Sequence, residues 1–188
     1  MSKFTPKIII VSGPSGVGKT SICETILSEN ANIHRSVSAT TRNKRIGEID
    51  GHHYYFIQRN SFVEKIKNND FLEYALVHNN YYGTLKQSIE NAFSQGQHCL
   101  VEIDVQGAEQ IKKNKDFEIV SIFIGLSDID QIKKRLVLRG SETQRSIQTR
   151  MNNMLAELEK KNQYDFYIEN ICLQNSIKSI NKIIFDIS

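Results

Sequence analysis

Residues Gly13 to Thr20 read GPSGVGKT and fit the pattern G-x-x-x-x-G-K-[ST]. The chemistry available to these residue types at this spacing is capture of a phosphate chain. Glycines let backbone N–H groups curl round an anion, because no Cβ blocks the approach. Lys19 brings a full positive charge to the β/γ-phosphates of a nucleoside triphosphate, and the Thr20 hydroxyl can hold Mg²⁺. The whole run, Gly13, Pro14, Ser15, Gly16, Val17, Gly18, Lys19 and Thr20, is therefore assigned to triphosphate binding.

Such a loop works only between a strand and a helix. Lys7 to Ser12 (KIIIVS) is an apolar run that predicts a buried strand. Ile22, Cys23, Ile26 and Leu27 follow on one side of a helical pattern whose positive dipole end faces the same anion. Cys99 to Asp104 (CLVEID) predicts a second buried strand carrying Glu102 and Asp104 at its C-terminal end, and Val120 to Ile124 a third. Helices are predicted over Leu85 to Ser94, stopped by Gly96, and over Asp128 to Arg139, broken by Gly140. Another opens at Ser141-x-x-Gln144 and reaches about Lys161. A last strand near Phe166 to Ile168 precedes a helix with Ile177, Ile180, Ile184 and Ile187 at core spacing. Alternating strands and helices imply an α/β fold with a parallel sheet between helical layers. Ligands of such sheets gather at the C-terminal strand ends. The glycine loop, Glu102, Asp104 and the loop after Ile124 are thus expected to converge.

Composition narrows the class. At 188 residues the chain has room for one core with a small insertion. A net charge of +3 gives no bulk electrostatic support for nucleic-acid binding. Three scattered cysteines, Cys23, Cys99 and Cys172, make neither a disulfide framework nor a zinc site and are expected in the core. No run approaches a membrane span of ~20 apolar residues, and the short N-terminal apolar stretch does not read as a secretion signal. A cytoplasmic protein is expected.

The segment Arg35 to Thr84 differs in texture, with tyrosine, histidine, arginine and short β-like runs such as Tyr54 to Ile57. Ser61-x-x-Glu64 predicts a capped short helix through Ile66. Arg42 and Arg45 follow the hydroxyl-rich Ser36, Ser38, Thr40 and Thr41, a good seat for a second phosphate because each guanidinium bonds bidentately. Tyr54 and Tyr82 can add phenolic donors. Glu73 lies in the apolar run Phe71 to Val77. An ionised carboxylate there matches the N1–H and N2–H donors of guanine, with Ser38 and Thr84 donating to O6. Adenine presents an acceptor at N1 and is repelled.

With these motifs in view the sequence resembles the guanylate kinase family. The matching segments are GPSGVGKT, SVSATTRNKRIGEIDGHHYYF, FLEYALVHNNYYGT, LVEIDVQGA and KRLVLRGSET, in family order from Ile8 to about Ile184. The resemblance implies a three-layer P-loop NTPase fold. Its core would take residues 1–34, 85–125 and 151–188, a mixed α/β GMP-binding subdomain residues 35–84, and a helical lid residues 126–150. It implies transfer of the γ-phosphate of ATP to GMP, and to dGMP, with Mg²⁺ as cofactor. It places Arg42, Arg45, Tyr54 and Tyr82 on the GMP phosphate; Ser38, Glu73 and Thr84 at the guanine; Gly83 in the same GMP site; and Glu48 and Asp104 close by. Thr20, Glu102 and Asp104 would serve the metal, partly through water, and Asn170 the adenine edge. Lys19 with Arg135, Arg139 and Arg150 would neutralise transition-state charge. His52 and His53 are expected at the surface.

The chain departs from the family at Lys44, where proline is usual; at Glu102, where aspartate is usual; and at Ile171, where an acid often follows the asparagine. Phosphopeptide-binding scaffold domains share this fold but carry a damaged glycine loop, whereas Gly13, Gly18, Lys19 and Thr20 are all present. The sequence leaves the oligomeric state open.

Overall fold

The computed structural model describes residues 5–77, 79–126 and 154–187. The elements run β1 (Ile8–Ser12), α1 (Lys19–Glu29), β2 (Ile33–Arg35), β3 (Ala39–Thr40), β4 (Tyr55–Phe56) and α2 (Arg59–Lys67). They continue β5 (Phe71–Val77), β6 (Asn80–Leu85), α3 (Lys86–Ser94), β7 (His98–Glu102), α4 (Val105–Lys112) and β8 (Ile119–Gly125). Residues 154–158 are helical and lead through the 3₁₀ turn Glu159–Gln163 into β9 (Phe166–Glu169) and α5 (Leu173–Ile187).

One sheet has the order β2-β7-β1-β8-β9 and the other β4-β3-β6-β5. In the first, β2 runs parallel to β7 and β8 parallel to β9. Every residue of β1 is buried, as expected of a β-branched run inside a parallel sheet. The architecture is the mixed α/β, parallel-sheet fold that the sequence predicts. No helix among the described residues is long and apolar enough to cross a membrane.

The chain divides into two compact units. The first comprises Met1–Ile9, Asn32–Val101 and Gln106–Ile119. It holds the four-stranded sheet and a small core of Ala39, Phe62 and Phe71, with Ile57, Ile66, Tyr81 and Leu85 packed around it. The Phe62 ring stacks on Phe71 at 4.3 Å and on Tyr81 at 5.1 Å. These contacts fix α2, which begins at Arg59 after an extended Gln58 with no side-chain cap. The expected capping box at Ser61 is therefore wrong by three residues: the N-cap is Gln58, no hydroxyl caps this helix, and ring packing holds it. In the β5–β6 hairpin Glu73 stands opposite Thr84, and a bulge separates Glu73 from Phe71.

The second unit comprises Ile10–Ala31, Glu102–Val105 and Val120–Ser188. In α1 the buried residues are Ile22, Cys23 and Ile26, and in α5 they are Ser176, Ile177, Ile180 and Ile184. The isoleucine stripe is core, with Ile187 half-buried at its end. Asn30 Nδ2 donates to Asn181 Oδ1 at 2.9 Å, tying the end of α1 to α5. Of the cysteines, Cys23 and Cys99 are buried as expected, but Cys172 is exposed in the bend before α5. The helix predicted over Asp128 to Arg139 and the start predicted at Ser141 lie outside the described residues.

Candidate active site

The phosphate loop forms between β1 and α1. Three of its glycines take positive φ: Gly13 at 135°, Gly16 at 85° and Gly18 at 100°. That backbone is strained for any residue with a Cβ. At Gly13 a Cβ would also collide with the Ile124 carbonyl near the end of β8, so the loop must run bare against that strand. Gly18 is the left-handed N-cap of α1, and Ile22 N–H donates to its carbonyl at 3.1 Å.

Lys19 lies across the loop, its Nζ donating to the carbonyls of Gly13 at 2.6 Å and Pro14 at 2.9 Å. Burial lowers its pKa, while the charges of Glu102, Glu157 and Asp104 act to raise it. The ammonium is thus aimed and partly desolvated, and strengthens any phosphate contact it makes. Thr20 Oγ1 donates to Glu102 Oε1 at 2.6 Å. Ile103 N–H donates to the Val11 carbonyl at 3.2 Å, which holds the chain beyond β7 alongside β1. The glycine loop thus meets the acidic strand end and the end of β8, with Asp104 half-buried two residues beyond Glu102, while the loop expected after Ile124 lies, from residue 127, outside the described residues.

A hydroxyl and a carboxylate 2.6 Å apart are hard oxygen donors that suit magnesium. Among the described residues no group of three or more His, Cys, Asp or Glu side chains forms a protein-only cage.

Two residues at this site carry no sequence signal. Glu157, in the helical segment 154–158, feels the charges of Lys19 and Asp104, and burial raises its pKa. No motif marks it, since only the helix register brings it there. Ser176 donates from Oγ to Asn170 Oδ1 at 2.9 Å. Asn170, expected at the adenine edge, is engaged within the protein. It is 5 % exposed, and its Nδ2 donates to the Val17 carbonyl at 2.7 Å.

The first unit carries the arginine patch. Both Arg42 terminal nitrogens donate to Glu48, Nη1 to Oε2 at 2.9 Å and Nη2 to Oε1 at 2.8 Å. The Arg45 backbone N–H also donates to Glu48 Oε2, at 2.7 Å. The Arg42 guanidinium lies 5.4 Å from the Tyr54 ring centre and 5.5 Å from that of Phe56. The Tyr54 and Tyr82 rings meet edge-on at 6.0 Å. Hydrogen bonding from Arg42 chiefly brings the Glu48 pKa down to about 2. Arg42 rises in turn, first through its bond to Glu48 and also through Tyr82. Four of the residues expected on a phosphate or near it, Arg42, Glu48, Tyr54 and Tyr82, therefore share one patch. The Arg45 side chain is exposed.

Glu73 is 6 % exposed, and its Oε1 accepts from Thr84 N–H at 2.9 Å and Thr84 Oγ1 at 2.8 Å. A buried carboxylate fixed in this way has a defined direction. Gly83 is required next to it, because a Cβ there would stand 2.7 Å from the Phe71 ring and 3.0 Å from the Glu73 carbonyl. Ser38 is half-buried, its carbonyl accepting from Tyr55 N–H at 2.9 Å. His52 is exposed, and His53 is half-buried with Nδ1 accepting from Ile49 N–H at 3.0 Å. Arg135, Arg139 and Arg150 lie outside the described residues.

Known proteins resemble this chain in sequence and fold. The family model described as guanylate kinase matches residues 5–187. A guanylate kinase of Clostridioides difficile is 44 % identical over 177 residues, covering 94 % of this chain and 86 % of the relative. One from Wolinella succinogenes is 41 % identical over 183 residues, covering 97 % and 85 %. The crystal structure of guanylate kinase from Anaplasma phagocytophilum superposes with a TM-score of 0.82 at 29 % identity, over 99 % of this chain and 88 % of that one. The match spans nearly every described element, and the chain belongs to the guanylate kinase family of nucleotide-binding phosphotransferases.

Proposed function

We propose that the protein transfers the γ-phosphate of ATP to GMP, giving ADP and GDP. The observation that carries this reading is the Lys19 ammonium held across the glycine loop by the Gly13 and Pro14 carbonyls. A charge fixed there meets a triphosphate without reorganising. A GMP phosphate oxygen attacks the γ-phosphorus in line, and the bond from that phosphorus to the β–γ bridging oxygen breaks. The nucleophile is already anionic, so neither Glu102 nor Asp104 needs to act as a strong base. Mg²⁺, when bound, neutralises charge on the β- and γ-phosphates. Thr20 and Glu102 would hold it, with Asp104 orienting its water.

GMP is held by its two ends. Arg42, Arg45, Tyr54 and Tyr82 take the phosphate, with Glu48 and Gly83 shaping the surrounding backbone. Glu73, aimed by Thr84, takes the guanine N1–H and N2–H, and Ser38 adds a polar contact. No residue assigned to the site reads a 2′-hydroxyl, so dGMP is a substrate too. On sequence position alone, residues 35–84 act as the GMP-binding part and residues 126–150 as a lid. Arg135, Arg139 and Arg150 supply further positive charge there. The protein works in the cytoplasm, returning GMP to the diphosphate pool in purine salvage, with ATP and GMP as its partners and no nucleic acid or membrane.

The test is ADP release with MgATP against GMP, dGMP, AMP, CMP and UMP. GMP and dGMP should turn over and the other three should lag by ~10²-fold or more, since a mismatched base leaves buried Glu73 unpaired. Comparable turnover of AMP would overturn the reading.

A further inference from the structure

Asn170 is held at both ends of its side chain and by its backbone. Nδ2 donates to the Val17 carbonyl at 2.7 Å, and Oδ1 accepts from Ser176 Oγ at 2.9 Å. Its own N–H donates to the Gly125 carbonyl at 2.8 Å, at the end of β8. Ser176, in the first turn of α5, is 2 % exposed, and its hydroxyl also lies 3.2 Å from the Cys172 carbonyl. A carboxamide with both polar atoms engaged and 5 % exposure is built into the protein rather than offered to a ligand.

The partner it grips matters. A trans peptide is planar, so the carbonyl of Val17 and the N–H of Gly18 point in opposite directions. Fixing the carbonyl on Asn170 therefore fixes the Gly18 N–H facing away from Asn170. A Cβ at residue 18 would stand 2.7 Å from Asn170 Nδ2, so the glycine leaves room for the carboxamide as well as adopting φ 100°. We infer that Asn170, oriented by Ser176, is a positioning residue for the phosphate loop: it sets the Val17–Gly18 peptide so that its N–H serves the triphosphate. The inference rests on the reading of Gly13 to Thr20 as the triphosphate loop. It gives Asn170 a role in binding phosphates, independent of the adenine.

The experiment compares two ligands on the full chain, ATP and inorganic tripolyphosphate, which has no base. Binding of each is measured by calorimetry for the native protein, Asn170→Ala and Ser176→Ala. GMP affinity and the melting temperature are followed in parallel. Asn170→Ala should weaken ATP and tripolyphosphate by the same factor, at least about fivefold as for loss of one buried hydrogen bond. GMP affinity should hold. Ser176→Ala should lower both in the same ratio by a smaller factor, and it is the deciding variant if Asn170→Ala does not fold. Loss of ATP affinity with tripolyphosphate unchanged would overturn the proposal in favour of contact with adenine. A fall in melting temperature with neither ligand affected would overturn it in favour of a purely structural role. Absence of ATP and tripolyphosphate binding in the native protein would instead refute the loop assignment itself.

Discussion

Glu48 closes a two-pronged ion pair on Arg42, at 2.8 and 2.9 Å, and with the same carboxylate takes the Arg45 backbone N–H at 2.7 Å. One acid thereby sets both the side chain of the first arginine and the main chain of the second. Lys44, between the two arginines, leaves the loop without a proline's fixed φ. Arginine geometry in this loop comes from a charge pair rather than from a fixed φ. Glu48→Gln should raise KM for GMP about tenfold, the loss expected for a charge-assisted bond, and leave KM for ATP unchanged. Initial-rate kinetics with each substrate varied checks the split.

The same pair has a pH signature. The Glu48 pKa falls from an ordinary 4.5 to about 2 in the folded protein. Its folded value is the lower one, so the unfolded chain binds the proton first as pH drops. The stabilisation is complete above pH ~4.5 and is lost as pH falls toward 2. Urea titrations at pH 7 and pH 3 should show the stability difference between native protein and Glu48→Gln shrinking at the lower pH.

Glu73 and Thr84 give a second kinetic split. Glu73→Gln keeps the shape but puts an amide donor against guanine donors. KM for GMP should rise by at least about tenfold, with ATP affinity unchanged. Thr84→Val removes one of two bonds that orient the carboxylate and should raise the same KM less. Equal effects on ATP and GMP in Glu73→Gln would contradict the assignment.

Lys19→Ala should lower kcat by ~10²-fold or more, as removal of a preorganised transition-state contact does. Single-turnover measurement with saturating GMP separates this from slow product release. Near-normal chemistry would show that the ammonium across the loop does not reach the transferring group.

His98 supplies a test of the core that is independent of the site. It is fully buried in β7, its Nδ1 accepts from Lys7 N–H at 3.1 Å, and burial chiefly lowers its pKa, with the Lys7 charge adding to the effect. The unfolded chain takes up this proton near pH 6.5, before the folded protein does. Stability from this residue is therefore complete above pH 6.5 and falls as the solution is acidified. Denaturant midpoints for native protein and His98→Gln should draw together between pH 7.5 and pH 5.

What the sequence made legible follows from signal length. The buried strands β1, β7 and β8 and the isoleucine stripe of α5 are long apolar patterns, and each is found within a residue or two of its expected bounds. The glycine loop carries its mechanism in fixed residue types. β2 is three residues long, too short to stand out. α4 is eight residues long, and its buried face has only Val105, Ala108 and Ile111 beside a glycine, too little apolar signal to stand out. The start of α2 is not legible because no capping side chain marks Gln58, and what holds the helix, the stack of Phe62 on Phe71 and Tyr81, is a tertiary contact. In the site, pattern identified the type of group but not its partner. The engagement of Arg42 by Glu48, of Glu73 by Thr84, and of Asn170 by Val17 and Ser176 appears only once the chain is folded.

The backbone of β8 presses so closely on residue 13 that the Ile124 carbonyl decides what can occupy that position. A saturation library at this codon would be filtered by a main-chain oxygen that has no room to step aside. Selection for folded protein alone, with no nucleotide supplied, would return glycine there.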